Sequence, residues 1–110
     1  MKDNLTFLNH IREAINDINE ASYGLSYDDF VNNKILIKAI VRDLEVIGEA
    51  SNYLSQDFRD SNPQIPWRDM IDMRNVLIHE YFGVITHTVW KTCKLNLPDL
   101  KNEIDCLLSE

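Results

Sequence analysis

The 110 residues carry 18 acidic against 11 basic side chains, a formal net charge of -7, with 45% apolar and 26% charged residues. That balance excludes wholesale disorder and a generic nucleic-acid coating protein, and the length fits one domain, residues 1–110, with its own core. Only three glycines and three prolines occur, too few turn formers for a sandwich or barrel, so the composition implies a mostly helical chain.

Leu8, Ile11, Ile15 and Ile18 recur at 3-4-3 spacing and predict a first helix over 4–22. Gly24 interrupts it, and Ser26 with Asp29 three residues on is the start signal of a second. From Tyr27 to about Ser55 only Gly48 disturbs the pattern, so one long helix is expected, with Phe30, Ile37, Ile40, Val41, Leu44, Ile47, Ser51 and Leu54 along one side. Val31, Ile35, Leu36 and Val46 widen that apolar set beyond one stripe, which suits a second partner such as another subunit. Gly48 costs this helix about 1 kcal/mol relative to Ala, and close approach of another helix is its simplest explanation. Residues 56–66 read as a polar loop. Pro66 then opens a third helix from Trp67 to Phe82, with Gly83 as its C′ stop. A fourth is expected from Thr86 or Thr88, carrying Trp90, Cys93, Leu97, Leu100, Ile104 and Leu107 on one face, with His87 in the loop before it. Pro98 inside that pattern should kink or split it. The expected architecture is all-α, an antiparallel bundle of four or five helices.

Cys93 and Cys106 are 13 residues apart, about 19 Å along a helix and beyond disulfide reach. No CxxC or Cys/His spacing points to a metal, and no cofactor motif appears. With no apolar run near the ~20 residues of a membrane span and no secretory h-region at the start, a cytoplasmic protein is expected.

Charge is unevenly placed. Residues 1–30 hold two basic and six acidic groups, leaving nine and twelve for the rest. Lys34, Lys38 and Arg42 follow at i, i+4 and i+8, aligning three cations on one helix face. Such a stripe is either a solvated face with local ion pairs or a contact for a phosphate backbone.

The third helix contains Arg74-Asn75-Val76-Leu77-Ile78-His79-Glu80-Tyr81-Phe82, polar groups set among apolar ones. Such groups need partners when desolvated. One reading is structural, with Arg74 paired to a carboxylate such as Glu49 and His79 capping a helix end. The other is chemical: a histidine titrates near neutrality, and an arginine fork binds phosphate oxygens. At about 100° per residue His79 lies roughly 140° around the helix from Arg74, while Tyr81 returns to within about 20° of it. Convergence of Arg74 with His79 therefore asks for a distorted helix end or a site shared by two subunits.

RNVLIHEYF resembles the R-x4-H-x-Y signature of HEPN-domain toxins, specifically the HepT-like group that pairs with MntA-type nucleotidyltransferase antitoxins. Further matches are Ile47-Gly48-Glu49-Ala50, Ile65-Pro66-Trp67, Val89-Trp90 and Leu97-Pro98-Asp99-Leu100, so the resemblance spans essentially the whole chain. It implies a metal-independent, homodimeric endoribonuclease acting on RNA, with Arg74 and His79 as the catalytic pair and Asn75 in support. It also implies that Tyr81 is the tyrosine modified with AMP by the antitoxin. Two alternatives stand beside it: a catalytically silent HEPN module that docks a nucleotidyltransferase, and an unrelated helical interaction domain.

Overall fold

A computed structural model describes residues 4–79 and 82–109, apart from the side chains of 78, 79 and 82–85. Among the described residues there is no strand, and the fold is all-α as expected. The first helix, α1 (Asn4–Ser22), buries Leu8, Ile11, Ile15 and Ile18, the four residues of the periodic stripe. It ends where the Ser22 hydroxyl donates to the Ile18 carbonyl at 2.9 Å and Gly24 takes φ +74°, a left-handed turn that favours glycine.

The expected second helix is instead two. The Ser26–Asp29 capping box is present: the Ser26 hydroxyl accepts from the Asp29 N–H at 3.1 Å, and the Asp29 carboxylate accepts from the Ser26 N–H at 3.3 Å. It opens only the short α2 (Tyr27–Val31), which anchors the fully buried Phe30. Adjacent asparagines then part the chain. The Asn32 amide donates to the Asp28 carbonyl at 2.9 Å, closing α2. Asn33 accepts from the Leu36 N–H at 3.1 Å, capping α3 (Lys34–Tyr53). Side chains that hydrogen-bond the local backbone compete with helix continuation, and here they prevail. Along α3, Ile37, Ile40, Leu44 and Ile47 are buried, whereas Ile35 is 82% exposed.

Residues 56–66 are not wholly loop either. Ser55 accepts from the Phe58 N–H at 3.1 Å and caps α4 (Gln56–Ser61), whose Asp57 and Arg59 suit its two dipole ends. Beyond it, the indole of Trp67 donates to the Asn62 carbonyl at 3.0 Å. Helix α5 (Trp67–His79) follows directly on Pro66, whose carbonyl accepts from Met70 at 3.2 Å.

Gly83 is not a C′ stop. It lies within α6 (Phe82–Lys91), which also contains His87, so neither the loop nor the start at Thr86 or Thr88 holds. An interior glycine costs only about 1 kcal/mol, less than burial of Val89 on the same helix contributes. Pro98 splits the last segment without a loop. Thr92–Asn96 form a π turn in which the Leu97 N–H reaches the Thr92 carbonyl, and Pro98 enters in the first turn of α7 (Leu97–Leu108). The widened turn clears the carbonyl that a proline ring meets inside a regular helix.

Helices α1 and α5 flank α3, and α7 packs on α1. Both cysteines are free, Cys93 buried and Cys106 exposed. Among the described residues no helix is long and apolar enough to cross a membrane.

Candidate active site

The position of Arg74 begins with Gly48. A Cβ at Gly48 would stand 2.4 Å from the Arg74 Cβ and 2.7 Å from the Met70 carbonyl oxygen. Glycine thus lets α3 and α5 touch backbone to backbone, and close helix approach is its role here. The Ser51 hydroxyl, one turn further along α3, lies 3.9 Å from the Met70 sulfur. As numbers rise on α3 they fall on α5, so the two helices are antiparallel. The His79 end of α5 therefore points toward the Lys34 end of α3.

Arg74 is half-buried at this crossing, and its Nη1 donates to the Asn75 Oδ1 at 3.1 Å. Asn75 is exposed, and Val76 beside it is 43% exposed. Leu77 turns to the core. Arg74 thus stands at the border of core and solvent, its stem packed and its fork oriented by a neighbouring amide. Helix α5 keeps helical backbone through His79, so the separation of about 140° between the two positions stands. The His79 side chain and the whole of Tyr81 lie outside the described residues.

Glu49 adjoins Gly48, yet its carboxylate faces Arg42 at 3.9 Å rather than Arg74. Arg42 also pairs with Glu45 at 3.7 Å. Of the cationic stripe, Lys34 and Lys38 are exposed and, among the described residues, unpaired, while Arg42 is shared between two acids. The other border of α5 is different in kind. There a groove of about 140 Å3 between α5 and α7 is floored by Leu44 and Ile47 and walled by Met70, Met73, Leu97 and Leu100. It is apolar and holds neither Arg74 nor Asn75.

Among the described residues no group of three His, Cys, Asp or Glu side chains is placed to hold a metal ion. Among the described residues two titrations are displaced. Burial raises Asp43, helped by the charge of Asp17 and opposed by Arg42. Burial also pushes the Cys93 thiol up to about 11, against the pull of Lys94. Neither group is at Arg74.

The sequence puts His87 in a loop and Trp90 on the apolar face of the following helix. The structure sets both against Tyr27, 60 and 63 positions away in sequence, at ring-centroid distances of 6.1 and 5.6 Å. Only the i, i+3 spacing of His87 and Trp90 on one helix hints at this cluster.

The family model for "Ribonuclease HepT-like" proteins matches residues 11–107, which includes all of α5 and the Gly48 crossing. The chain belongs to the ribonuclease HepT-like family. Three relatives illustrate matches that span nearly the full length of both chains. "Probable ribonuclease HepT" of Thermococcus cleftensis is 44% identical over 101 residues, 92% of this chain and 92% of that protein. "Putative RNase MJ1380" of Methanocaldococcus jannaschii is 42% identical over 104 residues, 94% and 95% of the two chains. "Putative RNase TTE0752" of Caldanaerobacter subterraneus subsp. tengcongensis is 37% identical over 110 residues, 100% and 98%. No solved structure matches. In this HepT-like chain the run from Arg74 to His79 starts at a half-buried helix crossing and ends with the last described residue of α5.

Proposed function

We propose that this HepT-like chain is a cytoplasmic, metal-independent endoribonuclease that acts as a homodimer. In this reading it is the toxin of a type VII HepT/MntA-like pair, neutralised when the MntA-like nucleotidyltransferase AMPylates Tyr81. The observation that carries it is Arg74, held by Asn75 at the solvent border of α5 and five residues before His79, in a chain of this family.

The 2′-hydroxyl beside the scissile phosphate attacks phosphorus while a neutral His79 takes its proton. The bond from phosphorus to the 5′-oxygen breaks, and a protonated histidine returns a proton to that oxygen. The products are a 2′,3′-cyclic phosphate and a free 5′-hydroxyl, so the substrate supplies its own nucleophile. Arg74 binds the non-bridging oxygens through its planar fork as charge develops there, and Asn75 limits the orientations the fork can take. The rotation of about 140° between the two positions favours a cleft at a two-fold axis, where two arginines and two histidines gather. Val76, apolar and exposed about 60° around α5 from His79, suits such an interface. AMP on Tyr81, seven positions after Arg74 in the sequence, adds a negative phosphodiester that competes with RNA for the arginine and blocks cleavage.

The test is cleavage of RNA in EDTA by wild type, Arg74→Ala and His79→Ala. Wild type should leave cyclic-phosphate ends and both variants should lose the activity. Equal, intact RNA in all three lanes removes the enzyme. Size-exclusion chromatography with light scattering tests the dimer. Mass spectrometry after co-expression with the adjacent nucleotidyltransferase should show an added AMP that Tyr81→Phe abolishes; an adduct that persists reassigns the site.

A further inference from the structure

An aromatic cluster lies on α2 and α6, outside the residues used so far. The Tyr27 ring meets His87 at 81° and Trp90 at 69°, with centroids 6.1 and 5.6 Å apart. Trp90 leans on the buried Phe30 at 5.1 Å. Lys94 covers Trp90 at 4.8 Å and, at 3.4 Å, donates to the Ser22 carbonyl at the end of α1. Phe30 and Trp90, with the exposed Lys94 laid over the indole, thus form a fixed backing. Tyr27, 39% exposed, and the exposed His87 form an outer layer that the core does not require.

The cluster's place in the fold gives that layer a use. His79 lies about 7.5 Å along α5 from the Gly48–Arg74 crossing, toward the start of α3. Measured from the same crossing, Lys38 and Lys34 are about 15 and 21 Å along α3. Helix α2 directly precedes α3 and packs on it, and α6 packs on both. A strand leaving the His79 end of α5 would run past Lys38 and Lys34, unpaired among the described residues, toward the outer rings. Aromatic faces beside such cations are how proteins hold unpaired nucleotides, because every base has a face to stack.

We propose that Tyr27 and His87, backed by Trp90, form a stacking platform for an unpaired base of the RNA strand flanking the scissile phosphate. This rests on the ribonuclease reading. Local charge makes stacking the main contribution at the rings. Asp28 and Asp29 adjoin Tyr27, and the Asp29 carboxylate is engaged in the capping box. Base faces are hidden in a duplex, so the platform favours single-stranded RNA.

Binding to the His79→Ala protein, which leaves RNA uncut, tests it by fluorescence anisotropy with a labelled single-stranded oligoribonucleotide and a duplex of the same sequence. Tyr27→Ala and His87→Ala should each weaken single-strand binding by roughly 5- to 150-fold, the range of one lost stacking contact. Duplex affinity should not change. Tyr27→Phe, which keeps the ring, should bind like the parent, as should Tyr23→Ala, which alters a tyrosine 88% exposed. His87→Ala keeps the test valid if loss of Tyr27 unfolds α2. Unchanged single-strand affinity in both alanine variants overturns the platform, while cleavage by wild type leaves the ribonuclease reading standing. A wild type that neither binds nor cuts RNA overturns both.

Discussion

Gly48→Ala is a small substitution with a calculable consequence. The added carbon would sit 2.4 Å from the Arg74 Cβ, where carbon atoms normally rest about 3.5–4.0 Å apart. The shortfall is therefore about 1.1–1.6 Å. Relief cannot come from a side-chain end, because the second obstacle is the Met70 carbonyl oxygen at 2.7 Å. Helix α5 must move off α3. Overpacking of this kind costs about 1–3 kcal/mol, and the better helix propensity of alanine returns about 1. A net loss of up to about 2 kcal/mol lowers Tm by up to about 9 °C for a domain of this size. The effect on cleavage is larger than the effect on stability. Shifting a reacting group by about 1 Å can cost as much as 10²-fold, so kcat/KM should fall roughly 10- to 100-fold at 25 °C, where the variant is still folded. Ile15→Val on α1 is the control. It costs a comparable ~1 kcal/mol in the buried core and should leave cleavage intact. If Gly48→Ala melts no lower than wild type and cuts RNA equally well, the crossing does not position Arg74.

Four further outcomes are expected. Arg74→Lys keeps the charge and the packed stem but loses the planar fork; kcat should fall by about 10²-fold or more with an unchanged circular-dichroism melt, and full activity would mean that only charge matters. Asp43 has its pKa raised by burial and by Asp17, so the unfolded chain ionises first and stability is lost as pH rises from the ordinary 3.8 through the folded value. Asp43→Asn should accordingly raise Tm at pH 7, with the gain vanishing in melts below about pH 4; a gain that persists in acid would exclude the charge as its cause. The Cys93 thiol, at about 11 and buried, stays protonated at pH 8, so iodoacetamide should label only Cys106 in the native protein and both thiols after unfolding. Lys34→Ala and Lys38→Ala should each flatten the salt dependence of RNA binding by about 0.7 in log–log slope, one phosphate contact on a single strand; Tyr27→Ala should weaken binding without changing that slope.

Legibility of this chain follows the range of the interaction. α1 and the Ser26–Asp29 box were readable because a 3-4-3 stripe and an i, i+3 pair are local. The break at Asn32–Asn33 was hidden because Phe30 and Ile37, seven positions apart, keep the apolar phase across it; only the amide side chains interrupt the backbone. α4 was missed for a related reason, since Ser55 caps a helix with no apolar stripe to announce it. At Pro98 the disturbance was visible but not its form, which depends on how one turn widens. Gly48 was readable as a close contact, and its partner was not, because Arg74 arrives from 26 positions away. Tyr27 and His87 met the same limit. Contacts between distant segments are fixed by packing, and one sequence carries no direct mark of them.

Packing also decides what a net charge of -7 means for RNA. Four of the seven excess negative charges belong to residues 1–30, on α1, α2 and the chain before them. Asp17 there faces Asp43, and the repulsion adds to the rise of the Asp43 pKa, so negative charge concentrates where α1 meets α3. On the other border of α3, Glu45 and Glu49 both lie against Arg42 and neutralise it. Lys34 and Lys38 remain exposed and unpaired among the described residues, at the end of α3 toward which α5 carries His79. The cationic stripe read from spacing thus resolves into one charge used for the fold and two free for a ligand. Charges separated by more than a Debye length, about 8 Å at physiological salt, barely interact at an exposed surface. Under the proposed function the acidic flank, screened by salt, repels a strand lying along Lys34 and Lys38 only weakly. It does discourage RNA from settling elsewhere on the molecule, and a chain that must cut rather than coat RNA is served by having one place where a strand can rest.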